Sequence, residues 1–211
     1  MRIVEWALAE PTVTVAVVPI RQLDERAMAL MTEQRLVAAT RLLGDLEAAG
    51  EGKALLVHPT AAVLPARARV SLQPVLSGQD WRDYENQRVV VEAGFGVDAV
   101  RALAMVEALR ERSRRLGLVL YLASDAEQVV GAVGCFRLPP PHRQWARLQE
   151  VDVFPSWRGR GYGDALLAAV LELLVTGGSD TVVVGADEDD WPLTWYRRRG
   201  FRDVARVPLT R

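Results

Sequence analysis

The chain has 211 residues, half of them apolar and a quarter charged, which is ordinary for a globular protein with a substantial core. Its 26 basic and 27 acidic residues give a net charge of −1, which argues against nucleic acid or an anionic membrane as a partner. No apolar run approaches the ~20 residues that span a bilayer, and the N-terminus does not resemble a secretory leader, so a cytoplasmic protein is expected.

The first third of the chain alternates between strand and helix patterns. A strand rich in β-branched residues is predicted at residues 12–20 and a second strand at 53–59. The helical pattern between them, residues 21–49, predicts either one amphipathic helix or two that are broken near Thr32. Residues 60–68 combine small residues with a proline, which is typical of a linker. We therefore expect an N-terminal β-α-β extension of unknown role over residues 1–66. One of its strands is expected to cover a sheet edge, in this chain or in the partner subunit of a homodimer.

From Arg69 onward the pattern predicts the order β-α-α-β-β-β-α-β-α-β, an α/β domain with a mixed sheet over residues 67–211. Asp80 is expected to cap the first helix. The second helix is predicted to bury one apolar face, formed by Val100, Leu103, Val106 and Leu109. Cys135, the only cysteine, lies in an apolar strand pattern and predicts a buried structural thiol. Residues 139–144 contain three prolines and predict a loop.

Arginine and glycine alternate in the segment VDVFPSWRGRGYGDALL, residues 151–167, where a strand pattern gives way to a helix pattern. Glycine permits close backbone approach and a helix start exposes N–H groups, so the segment predicts an anion site. Its spacing does not fit the dinucleotide fingerprint G-x-G-x-x-G, and no lysine is present for a P-loop. The remaining pattern, Arg/Gln-x-x-Gly-x-Gly/Ala, is matched by Arg158, Gly161 and Gly163.

This segment resembles motif A of the GCN5-related N-acetyltransferases (GNAT), whose pattern V-x-P-x-x-R-x-x-G-x-G is met by Val153, Pro155, Arg158, Gly161 and Gly163. The resemblance implies a mixed, mostly antiparallel sheet flanked by helices. It also implies a loop that binds the pyrophosphate of acetyl-coenzyme A, formed by Arg158, Gly159, Arg160, Gly161, Tyr162, Gly163 and Asp164. The main chain of the preceding strand is implied to bind the acyl carbonyl and pantetheine, at Val151, Val153 and Phe154.

Residues 186–201 resemble motif B of the same family, with matches at Trp195, Tyr196, Gly200 and Phe201. Asp189 stands where asparagine is usual and Pro192 where alanine is usual. Asp189 keeps the ability to cap a helix and to accept hydrogen bonds, and the resemblance implies a place for it in cofactor binding. The resemblance also implies that Tyr196 is the general acid that protonates the departing thiolate. The alternative is a tyrosine packed at the rim of the domain.

An attacking amine must lose a proton, because an alkylamine has a pKa near ~10.4. Members of the family often use a glutamate on the strand before motif A as the base. Strand alternation places Glu150, Asp152 and Phe154 on one face of that strand. Glu150 is therefore the first candidate and Asp152 the second. The alternative is a structural acid at a sheet edge, paired with Arg147 or Arg137.

The resemblance implies direct transfer of an acetyl group from acetyl-CoA to a primary amine in a ternary complex, with no metal. The alternative is a non-catalytic acyl-CoA-binding regulatory module on the same fold. A small molecule or a peptide could carry the acceptor amine. The acidic run at 187–190 is interpreted as helix capping and solvation, and the basic runs at 110–117 and 197–201 as solvated helix ends.

Overall fold

A computed structural model of the protein describes residues 18–19, 52–60, 64, 66, 68–137 and 145–207. The predicted helix at 21–49 and the predicted loop at 139–144 lie outside these residues. The described chain forms the following elements: β1 (Val18–Pro19), β2 (Lys53–Pro59), β3 (Ser71–Pro74), α1 (Gly78–Ala93), α2 (Ala99–Leu116), β4 (Val119–Asp125), β5 (Gln128–Arg137), β6 (Trp145–Val153), a 3-10 turn (Pro155–Trp157), α3 (Tyr162–Thr176), β7 (Thr181–Asp187), α4 (Trp191–Arg198) and β8 (Arg202–Val207).

Residues from β3 onward follow the order predicted from the sequence, β-α-α-β-β-β-α-β-α-β. The mixed α/β fold is therefore confirmed. The chain divides into two compact units, and β6 contributes Trp145–Arg147 to the first and Leu148–Val153 to the second. Among the described residues, no helix combines the length and the apolar character that crossing a membrane requires.

The first unit is a sheet with the strand order β1-β8-β2-β7, continued by the start of β6, and it carries helix α4. β2 pairs antiparallel with both β7 and β8, so this strand of the predicted extension is interior to the sheet. β1 pairs with β8 on the side away from β2. The consecutive side chains from Leu55 to Val57 are all buried, so β2 is covered on both faces as well as paired on both edges.

The second unit contains β3, β4, β5 and the rest of β6 in adjacent positions, together with helices α1, α2 and α3. Helix α3 supplies much of its core, through Ala165, Leu166, Leu167, Val170, Leu171 and Leu174. Cys135 on β5 is buried, as predicted. The burial of Cys135 follows from the apolar strand pattern that surrounds it.

Two details of the helices differ from the sequence predictions. Ser77 is the N-cap of α1, and Asp80 is the third helical residue, whose carboxylate accepts the Ser77 N–H at 2.7 Å. This is a capping box, in which the two side chains satisfy each other's backbone donors. In α2, Val106 and Leu109 are buried as predicted, whereas Val100 is 80% exposed and Leu103 45% exposed. The buried face of α2 is completed instead by Ala102.

Candidate active site

Strand β6 has an irregular backbone at the first candidate base. Glu150 has a φ of 51°, which is the left-handed conformation that residues other than glycine rarely adopt. Such a residue inside a strand interrupts the regular pleat, and the strain of about 1–3 kcal/mol persists only where the surroundings fix it. Glu150 is therefore the position at which the backbone of β6 departs from regular strand geometry.

Two glycines of β5 allow β6 to come close. A Cβ atom on Gly131 would lie 2.5 Å from the carbonyl oxygen of Asp152, and one on Gly134 would lie 3.2 Å from that of Gln149. The N–H of Phe154 donates to the carbonyl of Val130 at 2.9 Å. Any side chain at Gly131 would push β6 away, so this glycine fixes the path of the strand that carries the candidate bases.

Five charged side chains meet on one side of β6, and we call them the Arg88 cluster: Arg88, Glu92, Glu150, Asp152 and Arg158. The guanidinium of Arg88, on α1, lies 2.6 Å from Glu92, 3.4 Å from Glu150 and 3.6 Å from Asp152. Arg158 Nη2 lies 3.2 Å from the other oxygen of Asp152. Glu150 and Asp152 therefore both contact the guanidinium of Arg88.

Asp152 combines burial with two neighbouring cations. Burial raises the pKa of its carboxyl above the ordinary value, and the charges of Arg88 and Arg158 oppose that rise. Its Oδ2 atom is buried and accepts no hydrogen bond from the described residues, since Arg88 Nη1 is 3.6 Å away. A buried carboxylate oxygen without a donor is costly, so this atom is suited to accept a proton or an N–H group from a ligand.

The glycine loop, residues 158–163, follows the 3-10 turn and leads into α3. Gly159 has a φ of 74° and Gly161 a φ of 87°, which explains glycine at both positions, and a Cβ on either would meet open space. The N–H of Ala165 donates to the carbonyl of Gly161 at 3.3 Å as the helix forms. The N–H groups of the preceding helical turn have no acceptor within the helix.

Side chains on both ends brace the loop. Arg158 donates from Nε to the carbonyl of Val153 at 2.8 Å, and its own N–H is 3.3 Å from the carbonyl of Pro155. Tyr162 donates to Asp125 at 2.5 Å and packs edge-on against Trp157. Arg158 therefore differs from the expectation for the loop, because its backbone donor is engaged within the 3-10 turn.

The loop has the properties that a pyrophosphate site requires. Two left-handed glycines, separated by Arg160, precede the start of α3, where unpaired N–H groups and the positive end of the helix dipole attract an anion. Arg160 is exposed and lies over the ring of Trp157, with 5.2 Å between its guanidinium carbon and the ring centre. The residues present therefore fit a bound pyrophosphate.

Four aromatic residues pack together in the first unit, and we call them the Tyr196 cluster: His58, Trp195, Tyr196 and Phe201. The ring of Tyr196 lies 4.8 Å from that of Trp195 and 5.0 Å from that of Phe201, which in turn stacks on His58 at 4.6 Å. Burial raises the pKa of the Tyr196 phenol, and the charge of Arg147 opposes this. Burial lowers the pKa of His58. Both groups are therefore neutral at pH 7.

The acidic run before α4 is divided among several tasks. Asp190, not Asp189, is the N-cap of α4, and its Oδ1 accepts the N–H of Trp191 at 2.7 Å. Asp187 pairs with Lys53 across β2 and β7 at 3.3 Å. Asp189 itself is exposed in the turn. Pro192 lies in the first turn of the helix, where a missing N–H costs nothing.

The sequence predictions did not include Arg88 or Glu92. Their spacing of four residues on one helix was a visible signal for an ion pair with each other. Nothing in the sequence indicated that α1 would face β6, some sixty residues away along the chain. The arginines named as alternative partners for the acids were Arg137 and Arg147, and the partners observed are Arg88 and Arg158.

Two curated proteins are similar to part of the chain. They are mycothiol acetyltransferases from Clavibacter michiganensis subsp. michiganensis and Clavibacter sepedonicus. Each is 39% identical to this chain, over 88 residues for the first and 87 residues for the second. Each alignment covers 41% of this chain and 28% of the relative. The chain therefore matches little more than a quarter of the length of these relatives.

Solved structures share the fold. A conserved protein of unknown function from Staphylococcus epidermidis has a TM-score of 0.58 and 18% identity, over 90% of this chain and 68% of that one. A GNAT-family acetyltransferase from Colwellia psychrerythraea has a TM-score of 0.53 and 17% identity, over 73% of this chain and 53% of that one. The sequence profile of the family described as Acetyltransferase (GNAT) matches residues 81–201, from α1 through both motifs. Since this match covers more than half of the chain, the protein belongs to the GNAT acetyltransferase family.

Proposed function

We propose that the protein transfers an acetyl group from acetyl-CoA to a primary amine, directly and within a ternary complex. The observation that carries the proposal is the glycine loop, with its two left-handed glycines, at the start of α3 in a chain of this family. The division into an extension at 1–66 and a GNAT domain at 67–211, and a cytoplasmic location, remain predictions.

Acetyl-CoA, when bound, supplies the thioester that is the source of the acetyl group. The N–H groups of Gly159 to Gly163 would hold its pyrophosphate, with Arg160 as the cation. The main chain of Val151, Val153 and Phe154 is proposed to bind the acyl carbonyl and pantetheine. The Val153 carbonyl and the Phe154 N–H already have protein partners, which favours Val151 as the main contributor. Asp164 and Asp189 are also proposed to contact acetyl-CoA.

A carboxylate on β6 is proposed to take the proton of the incoming ammonium. Glu150 is the first candidate and Asp152 the second, as the sequence indicated. Both lie within 4 Å of Arg88, and the charge of Arg88 opposes the rise in the pKa of Asp152 that burial causes. The raised pKa of Asp152 and its Oδ2 without a hydrogen-bond donor support a part for this residue in the transfer.

Tyr196 is proposed as the general acid. Because burial raises the pKa of its phenol, the Oη atom carries its proton throughout the pH range in which the amine reacts. The incoming ammonium first gives one proton to the β6 carboxylate, which passes it to solvent. The neutral amine nitrogen would then form a bond to the acetyl carbon as the carbon–sulfur bond breaks, and the sulfur takes the proton of Tyr196 Oη. The second proton of the nitrogen returns to the Tyr196 phenolate, so the products are the amide, the thiol and one released proton.

The alternative, a regulatory module that binds acyl-CoA without turnover, would share the glycine loop. The Arg88 cluster supports the enzyme, because it holds two carboxylates that could accept the proton of an amine beside the strand proposed to bind the acyl group. Thioester consumption across a panel of primary amines decides between them. Turnover with any amine supports the enzyme, and saturable acetyl-CoA binding without turnover supports the module.

The loop itself is tested by Gly161→Ala, measured as acetyl-CoA affinity. The left-handed φ of 87° makes alanine unfavourable, and the 1–2 kcal/mol involved corresponds to about tenfold weaker binding. Gly178→Ala is the matched control, because Gly178 has a φ of 84° and equally open surroundings but lies outside the loop. Equal affinity losses in the two variants would remove the loop from donor binding.

A further inference from the structure

Arg88 lies where one cation can act on both candidate bases. Its Nη1 atom is 3.4 Å from Glu150 and 3.6 Å from Asp152, while Nη2 is 2.6 Å from Glu92. The Arg88 side chain is only 18% exposed, so its charge is poorly screened by solvent. A buried charge is costly unless it is paired, and Arg88 is paired with three carboxylates.

We propose that Arg88 is a positioning residue, which holds the carboxylates of Glu150 and Asp152 side by side in their ionised form and so sets the pH range in which the protein acetylates an amine. This proposal rests on the proposed function, because it assumes that one of the two acids is the base. Arg88 does not touch the reacting atoms in this role. It acts through the carboxylates.

The physical need for such a residue follows from the geometry. Two carboxylates that share a cation at 3.4 and 3.6 Å are close enough to repel each other. Without a cation, the charge of Glu150 would act unopposed against ionisation of Asp152. The guanidinium fork contacts several anions at once, which the single nitrogen of a lysine cannot do equally well.

Glu92 restrains Arg88 from the other side. It is buried on the same helix, and its short contact holds one edge of the guanidinium, which leaves the other edge for β6. Its carboxylate also shares the positive charge of Arg88 with the two β6 acids. The charged and titratable groups around the pair are Tyr84, Arg88 and Glu92 from α1, Glu150 and Asp152 from β6, and Arg158 from the glycine loop.

The experiment measures kcat/KM against pH for two variants with opposite expected effects. Arg88→Met removes the cation, so the acidic limb of the profile should move to higher pH by about 1 unit. Glu92→Gln removes an anion, so the limb should move to lower pH. Arg88→Lys should give an intermediate profile. A residue needed only for folding would lower activity at every pH and would leave the limb in place.

Arg110→Gln is the matched control. Arg110 also bridges two carboxylates, those of Glu85 and Glu107, each at 3.6 Å, but it makes no ion pair with the β6 acids. The acidic limb of the pH profile of Arg110→Gln should coincide with that of the wild type. If neither Arg88→Met nor Glu92→Gln moves the limb, the proposal is wrong. If Arg88→Met does not fold, Glu92→Gln decides alone, and an unmoved or raised limb overturns the proposal.

A carboxyl-carbon NMR titration of Glu150 and Asp152 separates this inference from the proposed function. It needs no acceptor and no turnover. If the wild type consumes no acetyl-CoA with any amine, the proposed function fails, and the titration still tests Arg88. Carboxylates that protonate at higher pH in Arg88→Met than in the wild type support the inference, and identical titrations contradict it.

Discussion

The Arg88 cluster and the Tyr196 cluster bury titratable groups in opposite ways. In the Arg88 cluster, acids and arginines are paired at 2.6–3.6 Å, so charge is retained in a half-buried setting. In the Tyr196 cluster, the phenol and the imidazole are surrounded by rings at 4.6–5.0 Å. Burial there keeps both groups neutral.

This difference matches what acetyl transfer to an amine would need. A base must be an anion that accepts a proton, and an acid must be a neutral group that still carries one. Under the proposed function, the Arg88 cluster would supply the base and the Tyr196 cluster the acid. Each of the following changes alters one cluster and leaves the other intact, in order of decreasing expected effect.

The largest effect is expected from neutralising the candidate base. Glu150→Gln should lower kcat/KM by about 100-fold or more near pH 7, because the amine there is mostly protonated and has lost its proton acceptor. Activity should recover as the pH approaches the pKa of the amine. The measurement is the pH dependence of thioester consumption.

Asp152→Asn is the matched comparison for this prediction. The change again replaces a carboxylate with an amide of the same shape, two residues along the same strand. A larger loss in Asp152→Asn than in Glu150→Gln would make Asp152 the base. If both variants keep the wild-type pH profile, neither acid is the base, and the Arg88 cluster is purely structural.

The two clusters also differ in how far the sequence revealed them. Tyr196 and the glycine loop lie in contiguous motifs, and their chemistry depends on local spacing: left-handed glycines before a helix start, and a tyrosine close to a Gly-Phe pair. The Arg88 cluster joins a helix to a strand that lies far away in sequence. Local patterns carry no information about which distant elements meet, so the sequence analysis did not identify Arg88 as the partner of the β6 acids.

The face of α2 was predicted incompletely for a related reason. Apolar residues at helical spacing show that a helix can bury a face, but the neighbouring elements decide which residues are covered. Val100 is in the first turn and remains exposed, whereas Ala102, which contributes little hydrophobicity, is fully buried. The cap of α1 was displaced by three residues because Ser77 and Asp80 are both good capping residues, and the capping box uses both.

A smaller loss is expected from the Tyr196 cluster. Tyr196→Phe keeps the ring and its packing but removes the proton of Oη, so kcat should fall by about 10- to 100-fold, while acetyl-CoA affinity stays unchanged. Tyr121→Phe, the same chemical change at a half-buried position on β4, is the control and should retain turnover. Unaltered kcat in Tyr196→Phe would remove this residue from the mechanism.

The smallest effect concerns stability, and it should have opposite signs in the two clusters. Burial lowers the pKa of His58 below 6.5, so the folded state keeps it neutral while the unfolded state takes up a proton. Its contribution to stability is therefore complete above pH 6.5 and is lost as the pH falls through the folded pKa. Burial raises the pKa of Asp152 above 3.8, so its contribution is complete below pH 3.8 and is lost as the pH rises through the folded pKa.

Urea unfolding of the wild type, His58→Gln and Asp152→Asn between about pH 4 and 7 measures both contributions, since each variant lacks one titration. The difference in unfolding free energy between the wild type and His58→Gln should increase with pH. The difference between the wild type and Asp152→Asn should decrease with pH. Parallel curves for all three proteins would mean that neither group changes its protonation on folding. Opposite slopes would show that burial disfavours the charged form of both groups, which is an imidazolium at His58 and a carboxylate at Asp152.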